Sequence, residues 1–404
     1  MLTGLYVHVP YCHSKCGYCD FYSVAMGERR TGPLVSALLH ELDCRLPLIE
    51  RVDTIFVGGG TPTVLPIEDL RRLFERLGTV ALQFGAIEFT TEANPATVDA
   101  QKIELLASAG VNRISFGGQS FDRAELKALE RLHDPDDIGP GIRLARAGGI
   151  AQVNLDLMFG IPGQTLESWR RNLSRAADFA TDHLSCYGLT YEPHTALTAR
   201  LERGLLAPCD EDLEAEMYSH CVDYLRQRGF EQYEISNFAQ PGRRCQHNMV
   251  YWQNWPYLGI GPSAASYVSG VRSRNVAHIE TYITEIAREG SAARDRECLR
   301  GPALAGETAM LQLRLTEGID VTSFTSQVGV NPLALYDVQL RRLAADGLLQ
   351  HDESSIRLTS RGRLVANYVV KEFLEPSANA IPAGHNSPPP ERTSPVHVEG
   401  GRHR

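Results

Sequence analysis

The chain has 404 residues, 43% of them hydrophobic and 22% charged; this is enough for a real core and excludes a mainly disordered protein. Lys and Arg number 40 against 49 Asp and Glu, a net charge of −9, so no basic excess announces a nucleic-acid partner or a membrane surface. No charged and then apolar leader opens the chain and no run of about 18 apolar residues occurs, so the expectation is a cytoplasmic protein without a span.

The first half alternates strands and helices. Strands are predicted over 5–9, 54–57, 87–91, 112–116, 153–158 and 184–190, and helices over 34–46, 67–77, 99–109, 123–132, 138–147 and 166–180. That rhythm with short loops predicts the α/β class, with a parallel sheet rolled into a full or partial (β/α) barrel over 1–230. A helix at 211–228 stops at Gly229. Residues 231–302 read as a connector. Within it 233–267 is irregular and rich in aromatics (Tyr233, Phe238, Tyr251, Trp252, Trp255, Tyr257, Tyr267), a pattern expected to cap a site. Over 303–375, helices at 308–315 and 333–346, a hairpin in 347–359 and a helix at 360–373 give an α+β winged-helix pattern. Residues 376–404 hold six prolines and no Leu or Phe, which predicts a disordered tail.

Three of the nine cysteines, Cys12, Cys16 and Cys19, form a C-x3-C-x2-C run directly after the first strand. In a long chain without a secretion signal, such a run reads as a metal site rather than as disulfides. In a [4Fe–4S] cube each iron takes one thiolate. Three cysteines leave one iron open to chelate an amine and a carboxylate. Zinc is the competing metal, with His13 and Asp20 as fourth ligands that lie too near in sequence to close a tetrahedron easily. Cys44, Cys186, Cys209, Cys221 and Cys298 read as small core residues.

Other residues are ambiguous taken alone. Gly58, Gly59 and Gly60 follow a strand, where glycine lets backbone approach a ligand or merely turns. Glu92 and Asp156 each end or interrupt an apolar strand, as a satisfied core acid or as a ligand acceptor. Arg131 ends a predicted helix, where a cation compensates the dipole. Gln119 is undecided.

The cysteine loop resembles the signature of the radical S-adenosylmethionine (SAM) superfamily. Within it, YVHVPYC (6–12), FVGGGTPT (56–63), EANP (92–95), GVNRISFGGQSF (110–121) and NLDLMFGIPG (154–163) are similar to the coproporphyrinogen III oxidase-like branch. YEISNFAQP (233–241) and CQHNMVYW (245–252) match that branch too. The resemblance implies a partial TIM-like barrel in which Cys12, Cys16 and Cys19 hold a [4Fe–4S] cluster. It places Tyr6, Tyr18, Gly59, Gly60, Thr61, Glu92, Gln119, Arg131 and Asp156 at SAM. One electron from the reduced cluster then cleaves the sulfonium to a 5′-deoxyadenosyl radical.

The branch holds heme chaperones and oxidases. The chaperone reading implies heme as ligand, a heme-acceptor protein, a reductant such as flavodoxin or ferredoxin, and peripheral membrane association through the acceptor. Its alternative is oxidative decarboxylation of coproporphyrinogen III. The oxidases extend well upstream of the cysteine loop and carry a further cysteine two positions after the third; here Phe21 stands there. The aromatic segment would suit a tetrapyrrole or a hydrophobic lid. His247 and Cys245 have the chemistry of heme ligands, though a lone histidine in an aromatic loop is more often structural, and His8 and His13 near the cluster are lesser candidates for a heme contact. Two positions depart from the chaperone pattern. Ala265 stands where a histidine is usual, and Gly118 is less bulky than the usual aliphatic. A DNA-binding use of the winged helix is disfavoured, since Arg341, Arg342, Arg361 and Arg363 are its only basic excess; packing as a lid or dock is expected instead.

Overall fold

Along the first strand, Gly4–Val9, the side chains alternate between two environments. Leu5, Val7 and Val9 are buried in the main hydrophobic core against helices. Tyr6 and His8 turn the other way and bond to each other, Oη to Nδ1, at 2.9 Å. This period of two separates an apolar outer face from a polar inner one. The computed structural model describes residues 1–374; the tail expected over 376–404 lies outside the described residues.

The main sheet is α/β. Its seven parallel strands run, in spatial order, Tyr257–Ile260, Gly4–Val9, Thr54–Gly59, Glu88–Ala93, Arg113–Gln119, Gln152–Phe159 and His183–Gly188. Helices Gly32–Arg45, Ile67–Phe84, Ala100–Ser108, Ile138–Ala147 and Leu166–Asp178 link the successive strands. Their ends follow the sequence signals. Asp99 accepts from the Lys102 N–H at 2.8 Å, and Gly85 ends its helix at a φ of +67°. Antiparallel strands flank the parallel set. Asn237–Ala239 and Glu231–Gln232 continue one edge, while Ala265–Val268, Val271–Asn275 and Ala293–Cys298 continue the other. The two outer strands do not pair with each other, so the barrel is partial.

Three expectations need correction. The aromatic segment 233–267 is irregular only in part: Asn237–Ala239, Tyr257–Ile260 and the start of Ala265–Val268 join the sheet, and Gln246–Trp252 is a helix. The helix expected over 123–132 ends at Ala128, and Glu130 with a φ of +57° turns the chain, which puts Arg131 in a loop. The helices expected over 333–346 and 360–373 are each broken, at Tyr336 and Val365.

A second core gathers Ala305, Phe324, Leu340, Ile356 and Phe373 beside a three-stranded sheet. This unit docks on the 231–275 segment. The Thr316 N–H donates to the Tyr233 carbonyl at 3.0 Å, and Gln327 Nε2 to the Asn254 carbonyl at 2.9 Å. Within it Arg341 pairs with Asp337 and Arg342 with Glu372.

Candidate functional site

In a parallel barrel the strand ends and following loops converge at the C-terminal face. Here they enclose a cavity of about 760 Å³ lined by the cysteine loop and by the ends of five successive strands from Thr54–Gly59 to His183–Gly188. The cysteine loop is pinned on several sides. Tyr11–Cys12 pairs with Val24–Ala25, the Cys19 N–H donates to the Cys16 carbonyl at 3.2 Å, and the Leu197 N–H to the Gly17 carbonyl at 2.8 Å.

Two glycines let the next strand approach that loop. The N–H of Gly60 donates to the Val9 carbonyl at 2.8 Å and that of Thr61 to the Tyr11 carbonyl at 2.7 Å. A Cβ on Gly60 would lie 2.5 Å from the Tyr11 oxygen. Gly59 has a φ of +96°, and a Cβ there would lie 2.3 Å from the His8 ring. The triple glycine is therefore more than a turn: side chains at these positions would displace the loop that carries the thiols.

The polar floor has two half-buried acids that open to the cavity. Glu92 accepts the Gly59 N–H at 3.0 Å. Burial, and then the nearby Asp156, push its carboxyl up to about 8. Asp156 accepts from Asn154 Nδ2 at 2.7 Å and from Ser115 Oγ at 3.4 Å, and burial raises its carboxyl as well. Asn154 is in turn oriented by His183, whose Nδ1 lies 2.6 Å from Asn154 Oδ1 and whose Nε2 lies 2.9 Å from the Tyr233 hydroxyl. Sequence reading missed Asn154. The available signal was its place two residues before Asp156, on the same face of one strand.

Arg131 bridges two parts of the site. It donates to the Gly117 carbonyl, and its Nη1 lies 3.4 Å from Cys16 Sγ. His133 also lines the cavity and was missed, although it follows Arg131 by two residues. Of the residues the resemblance placed at SAM, Tyr18, Gly59, Gly60, Thr61, Glu92, Gln119, Arg131 and Asp156 all line this cavity. Tyr6 does not. It sits a layer deeper, with its hydroxyl on His8 and its ring against Phe56. Gly118 also has a packing reason, since a Cβ there would come within 2.7 Å of Leu155 Cδ1.

The other candidate heme ligands lie elsewhere. His247 is buried at the opposite end of the barrel, with Nδ1 2.8 Å from Thr54 Oγ1 and Nε2 3.0 Å from the Tyr251 hydroxyl. Thr54 begins the strand that Gly59 ends, which puts His247 on the order of 16 Å below the cysteine loop at about 3.3 Å per residue. Cys245, also buried, donates to Glu88 at 3.3 Å. The imidazole of His8 spans Tyr6 and the Tyr22 carbonyl and is buried. All three are engaged in hydrogen bonds inside the barrel and lie outside the cavity lining. Of the cysteines expected in the core, Cys186 and Cys221 are buried, Cys209 is half-buried, and Cys44 and Cys298 are exposed.

The donor set fits a cluster better than a single ion. Among the described residues no three His, Cys, Asp or Glu side chains converge on one metal position, as zinc requires. A cube needs its thiolates apart, one per iron. The two half-buried acids fit a ligand that brings an amine and hydroxyls, because a carboxylate withdrawn from bulk water needs a donor.

Comparison with known proteins agrees with this geometry. Residues 6–176 match the model of the radical SAM superfamily, and residues 301–365 that of the HemN C-terminal domain. The chain is 36% identical to heme chaperone HemW of Bacillus subtilis, covering 92% of this chain and 99% of that one. It is 34% identical to heme chaperone HemW of Escherichia coli, with 92% and 98% covered. It is 35% identical to the mitochondrial radical S-adenosyl methionine domain-containing protein 1 of Mus musculus, with 92% and 87% covered. Among solved structures, coproporphyrinogen III oxidase (HemN) from Escherichia coli, described as a radical SAM enzyme, aligns with a TM-score of 0.79 at 25% identity over 92% of this chain and 90% of that one.

Proposed function

The chain belongs to the heme chaperone HemW family of the radical SAM superfamily, and from that premise we propose that it binds a [4Fe–4S] cluster, SAM and heme, and passes heme to an acceptor protein. The observation that carries this reading is the cavity itself: Cys12, Cys16 and Cys19 share its wall with the acids Glu92 and Asp156 and with Arg131. In this reading the thiolates of the three cysteines hold three irons. Glu92 and Asp156 accept from the amine and ribose hydroxyls of SAM, and Arg131 pairs with its carboxylate. Thr61 and the Gly59-Gly60 backbone line the same wall. When bound, the cluster and SAM supply one-electron cleavage of the sulfonium. The protein orients the cofactor and shields it from water. A heme-acceptor protein and a reductant such as flavodoxin or ferredoxin are the partners this function needs. No helix among the described residues is long and apolar enough to cross a membrane, so membrane association would come through the acceptor.

The likeness to HemN supports a second reading, oxidative decarboxylation of coproporphyrinogen III. One preparation separates the two. Protein rebuilt with iron and sulfide under anaerobic conditions is expected to develop a Soret band on hemin titration. It is expected to yield no protoporphyrinogen from coproporphyrinogen III with SAM and dithionite. Product formation overturns the chaperone reading, and a flat titration removes its basis. Cys16→Ala is expected to lose labile sulfide.

A further inference from the structure

The floor of the cavity is polar, and its mouth carries exposed apolar side chains beside the exposed His13 and Asp20. Phe21 and Leu132 both line it, yet each side chain is 69% exposed. Apolar side chains gathered at a cavity mouth, rather than scattered singly, mark a surface that something covers. A flat macrocycle with an apolar face and edge fits such a rim, whereas the charged floor suits SAM.

The histidines narrow the position of its iron. Among the histidines of the described residues, only His13 and His133 line the cavity. His133 is buried, its Nε2–H is committed to the Gly118 carbonyl at 3.0 Å, and its Nδ1 is shut away from solvent. His8, His183 and His247 have both ring nitrogens engaged inside the barrel. Ala265 offers no donor. His13 stands exposed on the cysteine loop, between Cys12 and the rim residue Phe21.

We propose that heme docks on the rim of the cluster cavity, with a ring nitrogen of His13 giving its lone pair to the iron and Phe21 and Leu132 supporting the macrocycle. This rests on the heme-binding reading above.

The test titrates hemin into the full chain with its cluster rebuilt, following the Soret band and the ferric heme EPR signal. The wild type is expected to give a nitrogen-ligated spectrum. His13→Ala is expected to lose that signature and to bind at least about tenfold more weakly, and added imidazole is expected to restore the spectrum. Phe21→Ser with Leu132→Ser is expected to weaken binding and leave the ligation signature unchanged. A His13→Ala spectrum identical to wild type overturns the assignment of His13 while heme binding stands; a flat wild-type titration overturns both. A measurement on the wild type alone guards against damage to the neighbouring cluster. Carbethoxylation of His13, mapped by mass spectrometry, is expected to be blocked by hemin, and unchanged reactivity overturns the proposal.

Discussion

The Nε2–H of His133 donates to the carbonyl of Gly118 at 3.0 Å, and the next residue, Gln119, sits at a φ of +65°. Left-handed backbone at a non-glycine residue persists only where its surroundings hold it. Arg131 grips the neighbouring Gly117 carbonyl, so one short loop fixes both carbonyls of the bulge that presents Gln119 to the cavity. His133 is thus a positioning residue. His133→Ala is expected to weaken SAM binding about tenfold, near 1.4 kcal/mol, and to leave iron and sulfide content unchanged. Equal SAM affinity by equilibrium dialysis would show that the bulge holds itself. Burial, and then Arg131, lower the imidazole to about 4. A lowered histidine destabilises the fold as pH falls from its unfolded range toward that value, so the effect of the substitution on stability is expected to shrink between pH 6.5 and 4.

Gly60 is where the second strand meets the backbone of the cysteine loop. A methyl there meets the Tyr11 oxygen at 2.5 Å and the Val9 oxygen at 2.7 Å. Both atoms are main chain, so the loop itself has to move. Gly60→Ala is expected to fold, because the apolar faces of both strands are untouched, yet to rebuild with well under half of the wild-type labile sulfide. Full cluster occupancy would mean that the loop is looser than its hydrogen bonds suggest.

The elements that sequence reading placed are those whose signal is local. Leu5, Val7 and Val9 announce a strand by alternation, Gly85 ends a helix by its own φ, and C-x3-C-x2-C is a contiguous motif. What it misplaced depends on contacts distant in sequence. Tyr257 and Leu258 pair with Gly4 and Leu5, a pairing more than 250 residues apart that no window along the chain reveals. Arg131 was read as helical because the apolar spacing continues past Ala128, whereas Glu130 turns the chain there. His247 could be read as a ligand or as a structural residue, because chemistry is written in a residue's identity and burial is not. Its partners Thr54 and Tyr251 become visible only when the barrel closes.

Those partners define a prediction. Removing the His247 ring leaves the Thr54 and Tyr251 hydroxyls without their imidazole and opens a void beside Phe56, against which the ring stacks at 5.2 Å. Such losses cost about 2–4 kcal/mol. His247→Ala is therefore expected to lower the midpoint of thermal unfolding by several degrees, while the folded protein keeps the wild-type Soret position with hemin. A shifted Soret band in a protein of unchanged stability would restore His247 as a ligand.

Glu92 carries the pH dependence of the site. Its carboxyl, at about 8, lies above the ordinary value of 4.5, so the folded chain holds this proton more tightly than the unfolded chain does. Stability from this group is present below the unfolded pKa and is lost as pH rises to about 8. Glu92→Gln keeps the acceptor from the Gly59 N–H and removes the charge. It is expected to raise the unfolding midpoint at pH 8.5, by about 2–4 °C for each kcal/mol recovered, and to change it little at pH 5. The same substitution removes the carboxylate that would accept from the SAM amine, so SAM affinity is expected to fall. In the wild type, SAM is expected to bind more tightly as pH rises toward 8, releasing a proton at pH 7 that calorimetry in buffers of different ionisation enthalpy detects. An equal midpoint shift at both pH values would show that Glu92 is already charged in the empty cavity, and the proton release would then be absent as well.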